Sequence, residues 1–70
     1  MDIKAKVGKR IREIRQEGEM SQKDLAYSSD LDRSYIASVE SGQRNVSIVN
    51  LEKIANSLGV SLSELFKGIL

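Results

Sequence analysis

The chain has no cysteine, no histidine and no proline, and each absence closes a route. Without cysteine there is no disulfide, and without cysteine or histidine there is no ordinary structural zinc site. The lack of cysteine fits a reducing compartment. With no proline and only one Phe and two Tyr, a sheet protein with proline-rich turns is a poor fit. No uncharged stretch is long enough to span a membrane or act as a secretory signal. Catalytic constellations are also missing. There is no His or Cys, no spaced carboxylate pair, and ten serines without an evident base, which argues against an enzyme.

Seventy residues make one domain at most. A chain of this size buries only about 60% of the surface its unfolded form exposes, so a partner subunit would help. Net charge is only +1, but its distribution is uneven. Met1 to Gly18 holds six Lys/Arg against three acids, and Glu19 to Asp32 holds one Lys against four acids. A polyanionic partner must therefore meet a selected face rather than a uniformly basic surface.

One signature recurs four times: an apolar residue, a short polar capping residue, and an apolar residue four positions on. It reads Met20-Ser21…Leu25, Leu31-Asp32…Ile36, Val46-Ser47…Leu51 and Val60-Ser61…Leu65. The oxygen caps free backbone N–H groups, and the apolar pair fixes the entry of the chain into the helix. Ser61 with Glu64 reads as a full capping box, and Ser21 with Asp24 as a shorter-armed one. Gly18, Gly42 and Gly59 mark stops, where a left-handed residue is favoured. Five helices are predicted. The first is Ile3 to Glu17, with Ile3, Val7, Ile11 and Ile14 on one face. The next two are Gln22–Ser28 and Arg33–Ser41, both too short to be stable alone. The fourth is Ile48–Leu58, carrying Leu51, Ile54, Ala55 and Leu58 at helical spacing, and the last covers about residues 61–70.

Only Ser29-Asp30-Leu31-Asp32 separates the second and third helices, a turn short enough to force a steep crossing. The stretches Ser21-Gln22-Lys23-Asp24-Leu25-Ala26 and Tyr35-Ile36-Ala37-Ser38-Val39-Glu40-Ser41-Gly42 resemble the Cro/C1-type (XRE) helix-turn-helix family. Leu51-Glu52-Lys53-Ile54-Ala55 and Leu58-Gly59-Val60 extend the likeness over nearly the whole chain. Leu31-Asp32-Arg33-Ser34-Tyr35-Ile36 and Gln43-Arg44-Asn45 are similar to controller proteins of restriction–modification systems. The resemblance implies an all-α, compact five-helix, lambda-repressor-like domain spanning residues 1–70. Where the family commonly has Gly in the turn, this chain has Asp30, which tolerates a left-handed backbone at small cost.

By that resemblance, the third helix enters the major groove. With Ile36 facing the core, Val39 and Glu40 point inward and Ser34, Ser38 and Ser41 outward, with Ala37 beside them. Short hydroxyls without an acid permit close approach to DNA; alternatively, the serines merely tolerate exposure. Arg33 in the first helical turn opposes the helix dipole, at about 0.3–1 kcal/mol. Contact with guanine would compensate, and so would a partnership with Asp32. Arg33, Ser34 and Ser38 are therefore the base-reading candidates. The backbone-contact candidates are Gln22, Lys23, Tyr35, Ser41, Gln43, Arg44, Asn45 and Ser47. Tyr35 could instead only pack over the turn, and Lys23 could simply be solvated. The resemblance also implies a buried structural ion pair between Arg15 and Glu40. Lys4, Lys6, Lys9, Arg10 and Arg12 read as a solvated face with pairs such as Lys9–Glu13.

Leu62, Leu65, Phe66, Ile69 and Leu70 exceed what one short helix should hide, and with Val49 they are the expected dimer interface. The other possibility is a C-terminus docked on its own subunit. The expected function is a homodimeric, sequence-specific transcriptional regulator of restriction–modification genes, including its own, on a pseudo-palindromic operator. A phage-type repressor, an antitoxin-type autoregulator and a protein-interaction module that never reads DNA are the alternatives. The expected partners are double-stranded DNA, a second copy and RNA polymerase, in the cytoplasm of a bacterium or phage host. No metal, cofactor, small-molecule ligand or membrane is expected.

Overall fold

In a computed structural model that describes residues 2–69, helix α1 (Ile3–Glu17) starts where Asp2 accepts a hydrogen bond from Lys4 N at 3.0 Å. Helices α2 (Gln22–Ser29), α4 (Ile48–Leu58) and α5 (Leu62–Leu65) start at Ser21, Ser47 and Ser61. Each serine hydroxyl accepts a bond from the N–H three residues on, replacing a partner that the first turn lacks. Helix α3 (Arg33–Glu40) departs from the expectation of four oxygen caps. Asp32 takes the extended cap conformation, but its carboxylate makes no capping bond. That carboxylate is exposed and keeps its water, while Leu31 and Ile36, packed in the core, hold the start of α3. The ranking of the capping boxes also reverses. Asp24 Oδ2 accepts from Ser21 N at 3.1 Å, completing the box, whereas Ser61 makes only the serine half. Glu64 is exposed in a helix of four residues, and its long side chain stays in solvent.

Helices α1 to α4 all end in the same two-bond closure. In α1, Met20 N donates to Arg15 O and Glu19 N to Gln16 O. Equivalent pairs close α2 at Leu31 and Asp30, α3 at Gln43 and Gly42, and α4 at Val60 and Gly59. This closure needs one left-handed residue, found at Glu19, Asp30, Gly42 and Gly59, with φ between 56° and 80°. Gly18, expected in that role, has φ −85°, and Glu19 takes it instead. Met20, Leu31 and Val60 each seal the helix just ended and staple the one about to begin. One apolar side chain serving both purposes is why the connections around it can be so short.

The core is formed by Val7 and Ile11 of α1, Leu25 and Ala26 of α2, Ile36 and Val39 of α3, and Leu51, Ile54 and Ala55 of α4, together with Leu65 and Ile69. Ile3, placed by periodicity on the buried face, lies at its edge and is 43% exposed. Ser29 is buried because its hydroxyl donates to Leu25 O at 2.6 Å, which lets α2 run one residue past its predicted end.

The C-terminal segment corrects two expectations. Instead of one helix over residues 61–70, α5 ends at Leu65 and the chain turns through Phe66–Ile69. Leu65 and Ile69, assigned from sequence to a dimer interface, are buried in the subunit's own core at 0% and 7% exposure. Leu62 and Phe66 are partly buried against that core, and Leu70 lies outside the described residues. Arg10 fixes this segment by donating from its guanidinium to Glu64 O at 3.0 Å and Leu65 O at 3.3 Å. It is thus a clamp on the last helix rather than part of a solvated face. The Lys9–Glu13 pair does not occur among the ion pairs of the described residues.

Candidate nucleic-acid interface

The outward face of α3 is usable only because its inward face is locked. Glu40 accepts two hydrogen bonds from Arg15, from Nε at 2.6 Å and from a terminal nitrogen at 2.9 Å. The remaining Arg15 nitrogen donates to Met20 O at 2.8 Å. Burial alone pushes the Glu40 carboxyl up, but hydrogen bonds from Arg15 and Gln22 and the charges of Arg15 and Arg12 outweigh it. The net shift is downward, and Glu40 is held ionised. The Arg15 guanidinium is shifted up, first by its hydrogen bond to Glu40 and with desolvation opposing. Asp24 at the start of α2 is lowered by the bonds it shares with Ser21.

Two more side chains converge on the same carboxylate. Gln22 Nε2 donates to Glu40 Oε1 at 3.1 Å, and Arg12 Nε lies 3.6 Å from that oxygen with half of its side chain exposed. The Gln22 amide, expected to be free for a phosphate, is therefore partnered within the protein. Lys23 beside it is exposed.

With Ile36, Val39 and Glu40 buried, α3 exposes Arg33 and Ser34 and leaves Ala37 and Ser38 half-buried; Ser41, expected as its last residue, is instead its exposed C-cap. Arg33 belongs to no ion pair among the described residues, so the partnership with Asp32 does not form. The serines are not equivalent. Ser38 Oγ donates to Tyr35 O at 2.8 Å and accepts from Arg44 Nε at 3.2 Å, while Ser41 Oγ donates to Ser38 O at 3.0 Å. Their hydrogens are turned back onto the helix, which leaves acceptor lone pairs outward. Arg33 and Ser34 are exposed, and their side chains make no hydrogen bond among the described residues, which leaves their donors free.

The following loop wraps one edge of this face. Arg44 places its guanidinium carbon 5.2 Å from the centroid of the Tyr35 ring, within cation–π range. Asn50 Nδ2 of α4 donates to Tyr35 Oη at 3.0 Å. Gln43 and Asn45 are exposed. The Ser47 hydroxyl caps α4 through Asn50 N, so it offers less to a ligand than its position suggests. Among the described residues no group of His, Cys, Asp and Glu is placed to hold a metal, and no helix is long and apolar enough to cross a membrane.

A helix-turn-helix family profile matches residues 11–65, which contain α2, the tight turn, α3 and α4. The chain belongs to that family. Within it, control protein C.MunI of Mycoplasma sp is 51% identical over 69 residues, covering 97% of this chain and 93% of the relative. Control protein C.BamHI of Bacillus amyloliquefaciens is 45% identical over 65 residues, covering 91% and 80%. Among solved structures, the restriction–modification controller protein C.AhdI from Aeromonas hydrophila superposes with a TM-score of 0.87 at 52% identity, covering 89% of this chain and 94% of that one. C.Esp1396I, solved as a tetramer with its natural 35 base-pair operator, gives 0.91 at 42% identity, covering 99% and 91%. The likeness to restriction–modification controllers read from Leu31–Ile36 and Gln43–Asn45 thus extends to sequence and fold along nearly the whole chain.

Three residues of this region escaped the reading of the sequence. Arg12 could have been found, since it lies three positions before Arg15 and so shares the helix face that meets Glu40. Arg10 and Asn50 carried no such signal. Their partners stand 54 to 55 and 15 positions away and meet them only through packing.

Proposed function

We propose that this control protein is a homodimeric, sequence-specific DNA-binding regulator of restriction–modification genes, its own included. The observation that carries the reading is the split character of α3. Its inner face is fixed by Ile36, Val39 and the Arg15–Glu40 pair, and its outer face offers Arg33 and Ser34. A helix held this firmly can present donors to base edges without first being ordered, which lowers the entropic cost of recognition. Arg33 reads a guanine, Ser34 an adjacent acceptor, and Ser38 and Ser41 offer acceptors. Lys23, Tyr35, Gln43, Arg44 and Asn45 lie along the phosphate backbone, with Gln22 and Ser47 at its edge.

The whole chain works as one domain, and the dimer forms through α4. Ile48 and Val49 are 63% and 61% exposed, two adjacent apolar side chains at the start of a helix. The partly buried Leu62 and Phe66 are the C-terminal residues left to contribute. A two-fold arrangement places the paired α3 helices about 34–36 Å apart on one face of the duplex. C.Esp1396I, with its tetramer on operator DNA, supports pairing of such dimers on adjacent sites. RNA polymerase is the further partner through which binding alters transcription, and the site of action is the cytoplasm.

Selection from random duplex DNA tests this reading. The expected result is enrichment of two related half-sites in inverted orientation. Weak, salt-sensitive binding without enrichment would reject it in favour of a protein-interaction module.

A further inference from the structure

Asn50 is joined to the recognition helix by a bond that α4 does not need. Its backbone N–H is satisfied by the Ser47 hydroxyl at 3.1 Å, while its side-chain amide reaches Tyr35 Oη at 3.0 Å. The polarity of the second bond has a consequence. A phenol carries one hydrogen, and its oxygen can also accept. Because Asn50 donates, the oxygen of Tyr35 is engaged and its hydrogen is left to donate elsewhere. The ring is held from another side by Arg44, 5.2 Å from its centroid, and Arg44 is tied to Ser38 Oγ at 3.2 Å. Tyr35 is thus constrained at its hydroxyl by α4 and at its face by the loop after α3.

Phosphate oxygens only accept hydrogen bonds, as do guanine N7 and O6 and thymine O4. A tyrosine whose hydrogen is free suits all of them, and one whose hydrogen is committed within the protein suits none. We infer that Asn50 is a positioning residue for DNA binding. By donating to the Tyr35 oxygen, it presents the phenolic hydrogen to the nucleic acid as a donor. Asn50 acts through Tyr35 and makes no contact with DNA. The inference rests on the DNA-binding function proposed above.

A double-mutant cycle tests it, using the full chain and the operator duplex recovered by selection. Affinity and thermal midpoint are measured for wild type, Tyr35→Phe, Asn50→Ala and the double variant. Each single change is expected to weaken binding about tenfold, the effect of losing one hydrogen bond to a DNA acceptor. The double variant is expected to bind no more weakly than Tyr35→Phe alone. Asn50→Leu fills a similar volume without a donor and is expected to match Asn50→Ala, which separates donation from packing. If Asn50→Ala weakens the Tyr35→Phe background by the same factor as wild type, or leaves wild-type binding unchanged, the inference is wrong while the DNA-binding function stands. A wild-type chain that enriches no operator overturns both.

Discussion

Arg15 and Glu40 stand 25 positions apart in the chain and meet at 2.6 Å in the interior, joining the end of α1 to the end of α3. Among the described residues, the ion pairs that reach α3 both come from α1, through Arg15 and Arg12. Glu40 has no exposed side-chain surface and Arg15 has 9%, so removing either partner leaves the other charge desolvated. Glu40→Ala is expected to lower unfolding free energy by about 3–5 kcal/mol in urea titrations at neutral pH. Replacing both with apolar residues of similar volume, Arg15→Met with Glu40→Leu, should recover most of that loss. A double variant as unstable as the single one would mean that the pair contributes attraction beyond mutual neutralisation.

The same pair sets a direction for acid stability. The Glu40 carboxyl is lowered in the folded state, so its contribution is fully present above the ordinary carboxyl value of the unfolded chain and is lost as pH falls through the folded value. Asp24, lowered by Ser21, adds to the same slope. Denaturant midpoints measured from neutral pH to pH 3 should fall for wild type and fall less for Glu40→Gln. Parallel curves for the two proteins would remove Glu40 from the explanation.

Gly8 is where α1 crosses the backbone of α3. A Cβ there would collide with Val39 O and lie 2.8 Å from Glu40 O, both main-chain atoms that cannot rotate aside. Gly8→Ala improves helix propensity in isolation, yet here it must push the two helices apart. The expected result is destabilisation by at least about 1–3 kcal/mol and weaker operator binding, because α3 itself is displaced. An unchanged melting temperature would contradict this crossing.

Arg33 should display a trade between stability and recognition. It is exposed at the first position of α3, where a cation opposes the helix dipole. Arg33→Ala is expected to raise stability by about 0.3–1 kcal/mol. It should also reduce discrimination at one base pair of each half-site by about 1–3 kcal/mol. Site selection with the variant would show that position relaxed and the others retained. A uniform loss at all positions would make Arg33 a phosphate contact instead.

For the dimer, Ile48→Glu with Val49→Glu is the cleaner perturbation. Both side chains are exposed, so the subunit fold should survive while the dimer proposed for the wild type gives way to a monomer in sedimentation. Deleting the chain after Ser61 would remove Leu65 and Ile69 from the core and the carbonyl partners of Arg10, which unfolds the subunit rather than separating it. A double Glu variant that still dimerises would exclude this patch.

The sequence by itself determined where the helices begin and, to within about a residue, where α1 to α4 end, because caps, staples and left-handed closures act within six residues of one another. Ser21, Ser47 and Ser61 are visible as starts, and Met20, Leu31 and Val60 as paired seals, without knowledge of the fold. With Ile36 set toward the core, periodicity likewise gave the inward direction of Val39 and Glu40. Tertiary structure alone decided what became of the surplus apolar residues at the C-terminus. The chain turns at Gly68 and returns Ile69 to the core, which a count of apolar residues along one helix cannot foresee. It also decided which polar groups remain free. Gln22 and Ser38 look available in sequence, but they are engaged by Glu40 and Arg44. Hydrogen-bond partners are chosen by proximity in space, and among residues far apart in the chain only packing creates that proximity.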